Sequence, residues 1–305
     1  MWYYISRGGS MANIVIIMNP CAGTKKANKY LTDIVRIFAE NGYYSHVYMT
    51  SKKGDGVFLA KEHAKDGEIL VAIGGDGTLN EVLEGVMLSK ADVPIGYIPA
   101  GSTNDFANSL KMPKNILNAA KAIIEGEAVS LDLGSFNNKY FTYVASFGAF
   151  TRIAYTTPQN FKNSFGHLAY FLEGIKDIPS IKSEHMIIET DNGRFEGDYL
   201  FGAICNSTSL GGVLTLDPAI VDLSDGLLEL VLIKQPKNMF ELNQLVLSLN
   251  GEIYDCEMIN LISTKNIKIH CDTKPDWTLD GEFEAGTDYI EITNIPKVFK
   301  IILKK

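Results

Sequence analysis

Cysteine is scarce, with four residues at positions 21, 205, 256 and 271 in a chain of 305. No two of them form a CxxC pair, and a chain this long with so few is not a disulfide scaffold. Reduced, cytosolic thiols are the simplest reading. The five histidines, at 46, 63, 167, 185 and 270, form no HExxH and no clustered metal spacing. Long apolar runs are also missing. The longest, such as residues 69–73 and 144–150, fall far short of the roughly 18 residues that a membrane-crossing helix needs. Positive charge is in deficit: 28 Lys and Arg against 36 Asp and Glu give a net charge of −8 and a pI near 5.2. That balance does not suit non-specific nucleic-acid binding, which works by neutralising phosphates, although it leaves room for a local basic patch. Residues 1–10 lack the basic-then-apolar order of a signal peptide. A second methionine, Met11, stands just before a strand pattern, so residues 1–10 read as a leader outside the fold.

What remains is ordinary globular material. Apolar residues make up 46% and charged residues 21%, which suffices for a sizeable core and argues against disorder. The length fits one large or two medium domains. Up to about residue 130, short β-branched runs alternate with helical stripes. Strands are expected at 14–18, 44–50, 69–73 and 95–98. Helices are expected around Leu31, Ile34, Val35 and Phe38, over 57–65 behind Asp55, around Leu79, Val82, Leu83 and Val86, and over 116–124. That alternation predicts a doubly wound parallel sheet with helices on both faces. Later strand signals follow one another at 140–150, 182–190, 194–205, 227–233, 267–271 and 289–293. Asp191-Asn192-Gly193 reads as a hairpin turn, and helical stretches are expected near 161–178 and 238–250. The second half is therefore read as antiparallel and β-rich. The resulting division is a leader at 1–10, an α/β domain at 11–132, a β-rich domain at 133–295, and a terminal segment at 296–305 able to pair with either domain.

Five stretches could carry chemistry. Gly74-Gly75-Asp76-Gly77-Thr78-Leu79-Asn80-Glu81 follows a buried strand and opens a helix. Glycines let a ligand approach the backbone, and a helix N-terminus offers N–H groups to an anion. Asp76 would repel a phosphate unless a divalent cation lay between them, which points to a magnesium–nucleotide complex. The plainer reading is a tight turn with Asp76 as a cap. Gly101-Ser102-Thr103-Asn104-Asp105-Phe106 also follows a strand and stands where open α/β sheets bind ligands. Equally, Thr103 or Asn104 could cap a short helix over 105–110. Asn19-Pro20-Cys21-Ala22-Gly23 breaks the first strand and by itself is punctuation. Leu279-Asp280-Gly281-Glu282 reads first as a hairpin turn. Asp222-Leu223-Ser224-Asp225-Gly226-Leu227 sets two carboxylates around a turn, a fit for a hard cation or simply a solvated loop.

GGDGTLNE, then GSTNDF, then a late LDGE, in this order and spacing, resemble the diacylglycerol kinase catalytic-domain family, in particular its soluble bacterial lipid kinases. The resemblance spans about residues 11–303. GGDGT alone is shared with NAD kinases and phosphofructokinases, so the three together carry the specificity. The resemblance implies an ATP-binding α/β domain, a C-terminal antiparallel β-sandwich domain and a cleft between them. It implies ATP contacts at Asn19, Pro20, Cys21, Ala22 and Gly23, at Thr50, at Gly74, Gly75, Asp76, Gly77, Thr78, Leu79 and Asn80, and at Thr103. Cys21-Ala22 stands where Thr or Ser is frequent. Asp76 and Asp105 match acidic residues needed for activity, and Glu282 matches a proton acceptor. Asp222, Asp225 and the Leu227 carbonyl match a structural Mg²⁺ site.

The expected reaction is transfer of the ATP γ-phosphate to a lipid hydroxyl, with diacylglycerol giving phosphatidic acid. The same chemistry on a sphingoid base, ceramide or phosphatidylglycerol stays open. So do an NAD kinase-like soluble substrate and a non-catalytic protein of the same fold. The expected partners are ATP, Mg²⁺ and a lipid met transiently at the inner face of the membrane by a cytoplasmic protein. No nucleic acid is expected, and a homodimer is allowed. Residues 155–178 carry Tyr155, Phe161, Phe165, Tyr170, Phe171 and Leu172 beside Arg152, Lys162 and Lys176. They read as an interfacial lip or, in the commoner use of such aromatics, as core.

Overall fold

The computed structural model describes residues 11–102, 104–148, 182–210, 214–217, 219–250 and 256–304. The expected leader, Thr103, the helix expected near 161–178 and the aromatic segment 155–178 lie outside the described residues. Two compact units are present, one of residues 1–131 with 297–305, the other of residues 132–296.

The first unit is built on apolar β-branched runs. Strands β1 (Ala12–Met18), β2 (Tyr43–Met49), β3 (Ile69–Gly74) and β4 (Ile95–Pro99) lie parallel in the order β2-β1-β3-β4. Every residue of β3 and β4 is buried, as expected of strands covered on both faces. Helices α1 (Lys26–Glu40), α2 (Asp55–His63), α3 (Asp76–Ser89), α4 (Asp105–Ser109) and α5 (Ile116–Glu125) connect them. Ile34 and Phe38 of α1 and Ala119, Ala120 and Ile123 of α5 join Ile16, Val71 and Ile98 in one core. Asp55 is the first residue of α2 rather than a residue ahead of it. Its Oδ2 accepts from the Ser51 N–H and hydroxyl and from the Lys52 N–H, which holds its carboxyl below the usual carboxylate range.

The second unit is antiparallel. Its strands are β5 (Glu127–Phe136), β6 (Lys139–Phe141), β7 (Val144–Gly148), β8 (Glu184–Thr190), β9 (Gly193–Cys205), β10 (Ser209–Leu210), β11 (Leu214–Thr215), β12 (Leu228–Lys234), β13 (Ile259–Thr264), β14 (Asn266–His270), β15 (Trp277–Leu279), β16 (Glu282–Glu284) and β17 (Tyr289–Leu303), with helix α6 (Met239–Asn250). The long β9 pairs β8 through its first half and both β7 and β12 through its second. These strands share one core, with Trp277, Phe147, Ile188, Leu230 and Ile269 among its residues. The unit boundaries fall within β5 and β17.

The structure differs from the sequence reading in several places, the strands β5, β10, β11, β15 and β16 being outside the expected runs. The strand expected at 140–150 is two strands, broken at Thr142 and Tyr143, whose N–H groups donate to a distant carboxylate instead of a ladder. Strand β13 was not anticipated. The runs at 289–293 and 298–303 are one strand, irregular at Pro296 and at Lys297 with its φ of 51°. Its last part runs parallel to β4, with Ile301 opposite Ile95, so the terminal segment pairs with the first unit. Among the described residues no helix is long and apolar enough to cross a membrane.

Candidate active site

The turns that follow β1, β3 and β4 begin level with one another, because Met18 lies opposite Ile73 and Gly74 opposite Pro99. The turns after β1 and β4 start by continuing the ladder: Asn19 N–H donates to the Ile73 carbonyl at 2.9 Å and Ala100 N–H to the Gly74 carbonyl at 2.7 Å. Thr50, just past β2, donates its N–H to the Met18 carbonyl at 2.9 Å. Three turns of the sequence reading, together with Thr50, thus gather at the carboxyl ends of adjacent parallel strands.

The turns touch backbone to backbone. A Cβ on Gly101 would come within 2.5 Å of Gly75 Cα, and one on Gly23 within 2.5 Å of the Ala100 carbonyl oxygen. No side chain fits either place, so the Gly-rich spelling is a requirement of close approach. Gly75 is the N-cap of α3, and its carbonyl accepts from the Thr78 and Leu79 N–H groups. Asn19 Nδ2 reaches Thr78 Oγ1 at 3.4 Å and its Oδ1 accepts from the Cys21 N–H, tying the turn after β1 to the start of α3. Pro20 and Ala22 belong to the same turn, and Asn80 lies one helical step beyond Leu79.

Asp76 is buried, 8% exposed, and its carboxylate reaches across to the next motif. Oδ2 accepts from the Asp105 N–H at 3.0 Å and Oδ1 from the Phe106 N–H at 3.2 Å. It caps α4, a helix 29 residues away, rather than its own. Asn104, one of the two residues the sequence offers as a cap for that helix, makes no side-chain cap. It sits at φ 54°, and its side chain instead closes the turn onto the Gly101 N–H and carbonyl. Asp76 and Asp105 are brought together: both raise the pKa of Tyr97, after the larger effect of burial. The Tyr97 phenol therefore stays protonated, and it donates to the Gly74 carbonyl at 3.3 Å.

Glu282 belongs to the second unit. It is exposed, at the start of β16, directly after a two-residue turn closed between Leu279 and Glu282. Asp280 and Gly281 in that turn have φ of 49° and 82°, the signature of a type I′ hairpin turn. The plain turn reading of this stretch is thus correct as far as it goes. Glu282 is in the other unit from Asp76 and Asp105.

The acidic turn at 222–227 holds itself together. Asp222 Oδ1 accepts from the Ser224 N–H and hydroxyl, and Asp225 Oδ1 from the Leu227 N–H. The Leu227 carbonyl accepts from Asn294 Nδ2 at 2.8 Å. Nearby Glu229 is 1% exposed. Neither of its oxygens accepts a well-formed hydrogen bond, and Asn294 Oδ1 is likewise buried without a donor. Burial, and then the charges of Asp225 and Asp222, push Glu229 up to about 7. Surplus acceptors and negative charge fit a hard cation. Among the described residues no three acidic, histidine or cysteine side chains form a ready cage. An ion held here would take two carboxylates and a carbonyl and keep several waters, as Mg²⁺ does.

Sequence reasoning passed over three residues that shape these sites. Tyr97 was read only as strand. Glu81 ties α3 to the start of α2 through the Gly54 and Gly56 N–H groups; its place in GGDGTLNE was the available signal. Asp280 was read only as a turn residue.

Comparison with known proteins agrees with this layout. Residues 13–136 match the family model described as diacylglycerol kinase catalytic domain, and residues 144–303 match the YegS C-terminal NAD kinase beta sandwich-like domain. The chain is 32% identical over 292 residues to a diacylglycerol kinase of Bacillus subtilis (strain 168), covering 95% of this chain and 96% of the relative. It is 33% identical to one from Staphylococcus haemolyticus, over 88% of this chain and 81% of that one. The fold resembles a diacylglycerol kinase crystal structure from Bacillus anthracis str. Sterne with a TM-score of 0.74 at 22% identity, over 96% of this chain and 97% of that one.

Proposed function

The chain belongs to the diacylglycerol kinase catalytic-domain family and is a lipid kinase of that family; from that premise we propose that it transfers the γ-phosphate of ATP to the free hydroxyl of diacylglycerol, giving ADP and phosphatidic acid. The observation that carries the reading is the convergence of the turns after β1, β3 and β4, packed so closely that only glycine fits where they meet.

Each residue has a part in the transfer. Gly74, Gly75, Gly77 and Thr78 hold the triphosphate against the first turn of α3, whose N–H groups lack partners within the helix. Asn19, Pro20, Cys21, Ala22, Gly23, Thr50, Leu79 and Asn80 line the rest of the nucleotide, and family resemblance alone assigns Thr103 to it. Asp76 fixes the segment that carries Asp105, and the two carboxylates hold the cation that accompanies the phosphates. A magnesium ion held there by Asp76 and Asp105 would supply charge neutralisation for the triphosphate. Glu282 orients the lipid hydroxyl and accepts its proton, a transfer that comes late because an alcohol is a weak acid. The hydroxyl oxygen bonds to the γ-phosphorus as the bond to the bridging oxygen of ADP breaks. Asp222, Asp225 and the Leu227 carbonyl would hold a second Mg²⁺, with a structural role. Contact with the membrane surface is transient, in keeping with a net charge of −8.

Radiolabelled ATP, offered with diacylglycerol, a sphingoid base, ceramide or phosphatidylglycerol in mixed micelles, or with NAD, tests the reading. Label is expected in phosphatidic acid. Label in another lipid overturns the acceptor, and label in NAD alone overturns the lipid kinase. For the roles, Glu282→Gln is expected to bind ATP normally while turnover falls about 10²–10⁴-fold, the usual range for a positioned acid–base group. Turnover within a few-fold of the unaltered enzyme removes Glu282 from the mechanism.

A further inference from the structure

Glu282 stands on a short edge strand. Strands β15 and β16 have three residues each; β15 is anchored along its length to β7, while β16 follows it at the edge of the sheet. Three residues give β16 few ladder bonds, so contacts at the turn add to what fixes the direction in which Glu282 points. The structure shows what grips the turn. Asp280 is 6% exposed, and both of its carboxylate oxygens are engaged by one neighbouring segment. Oδ1 accepts from the Tyr143 N–H and the Val144 N–H, each at 2.9 Å. Oδ2 accepts from the Thr142 N–H at 2.6 Å and the Thr142 hydroxyl at 3.0 Å. The Asp280 N–H donates in return to the Val144 carbonyl at 2.8 Å. Five hydrogen bonds thus join one residue of the turn to residues 142–144. This is also why the strand expected across 140–150 is broken there. Further along β16, Lys139 pairs with Glu284.

A type I′ turn needs only a residue that tolerates positive φ, and asparagine serves as well as aspartate. The turn therefore does not explain the carboxylate. A carboxylate offers acceptors on both oxygens, whereas an amide would turn its NH₂ group toward an N–H. Residues 142–144 present donors to both sides, so only the acid satisfies them.

We propose that Asp280 is the positioning residue for Glu282, its buried carboxylate locking the β15–β16 turn onto residues 142–144 so that Glu282 meets the acceptor hydroxyl in a fixed orientation. This rests on the reading of Glu282 as the acceptor-side carboxylate. It assigns Asp280 no contact with lipid or ATP.

Asp280→Asn tests it, because asparagine keeps the turn and loses one acceptor oxygen. The expected result is a fall in kcat of about 10²-fold, the cost of misplacing a reacting group by about 1 Å, with the KM for ATP unchanged. Thr142→Val, which removes one of the four donors and keeps the volume, is expected to fall in the same direction by less and supplies the test if the asparagine variant does not fold. The decisive measurement is the double variant. Once Glu282 is already glutamine, Asp280→Asn is expected to cost little more, because a residue that acts through another loses its effect when that other is removed. Losses that multiply in full overturn the proposal and leave Asp280 a stability residue. Unaltered kcat in Asp280→Asn or, should that variant not fold, in Thr142→Val overturns it as well, while a low Glu282→Gln rate beside it leaves the reading of Glu282 standing. A fully active Glu282→Gln removes that reading, and the proposal with it.

Discussion

Asp76 carries two duties in one carboxylate. It faces the glycine turn where phosphates are expected, and both oxygens accept N–H groups at the start of α4. Removing it leaves two inward donors without their partner, and hydrogen bonds to a charged group are worth about 1.5–3 kcal/mol each. Asp76→Ala is therefore expected to abolish turnover and also to lower the melting midpoint by several degrees, read by calorimetry beside the kinase assay. An unchanged midpoint contradicts the capping, and retained activity contradicts the site. Glu229 is the other residue whose environment sets its chemistry. Its folded pKa of about 7 lies above the ordinary carboxylate value, through burial and then Asp225. The folded chain holds that proton more tightly than the unfolded one. The stability it contributes is full below about pH 4.5 and is lost as pH rises toward 7. In EDTA, the melting midpoint is expected to fall between pH 5 and pH 8, and Glu229→Gln to flatten that part of the curve. A slope that persists in the variant assigns the effect elsewhere.

The turns after β1, β3 and β4 act as one body because they touch through backbone. Gly101 is one of the tight points: a methyl group there meets Gly75 Cα at 2.5 Å and Asn104 Oδ1 at 2.8 Å. A main-chain atom cannot swing aside as a side-chain tip does. Gly101→Ala is thus expected to spread the two turns and weaken ATP binding about ten-fold or more, equivalent to ~1.4 kcal/mol, as titration calorimetry would read directly. Normal affinity in this variant means that the two turns do not need this spacing to hold nucleotide. At this level the sequence was legible wherever apolar runs were dense. β3 and β4 are wholly buried, and their hydrophobic runs announced them. Strand β13 did not, because four of its six residues are only partly buried and its run includes Asn260, Ser263 and Thr264. The arm formed by β15 and β16 is too short to have a pattern at all.

Across the whole chain, the motif turns and their order were readable, and the ties between them were not. That Asp76 caps the helix beginning at Asp105, or that Asp280 grips residues 142–144, follows from pairings across 29 and 138 positions, which no local pattern records. Local periodicity likewise showed two separate runs where β17 is one strand. Pro296 interrupts its pattern, and the strand changes partners on either side: β14 up to Thr293, then β4 at Ile301.

That last strand has a consequence for how the polypeptide is made. The first unit needs Phe299, Ile301 and Ile302, which are 4%, 0% and 5% exposed, yet the unit breaks off at Leu131 and resumes at Lys297, 165 residues (132–296) later. A ribosome adding about 5–20 residues per second leaves the nucleotide half one strand short for roughly 10–30 s. During that interval β4 is an open edge, a template for pairing with another nascent chain. The antiparallel half can meanwhile leave the exit tunnel nearly whole, so the half that begins first is the one that finishes last.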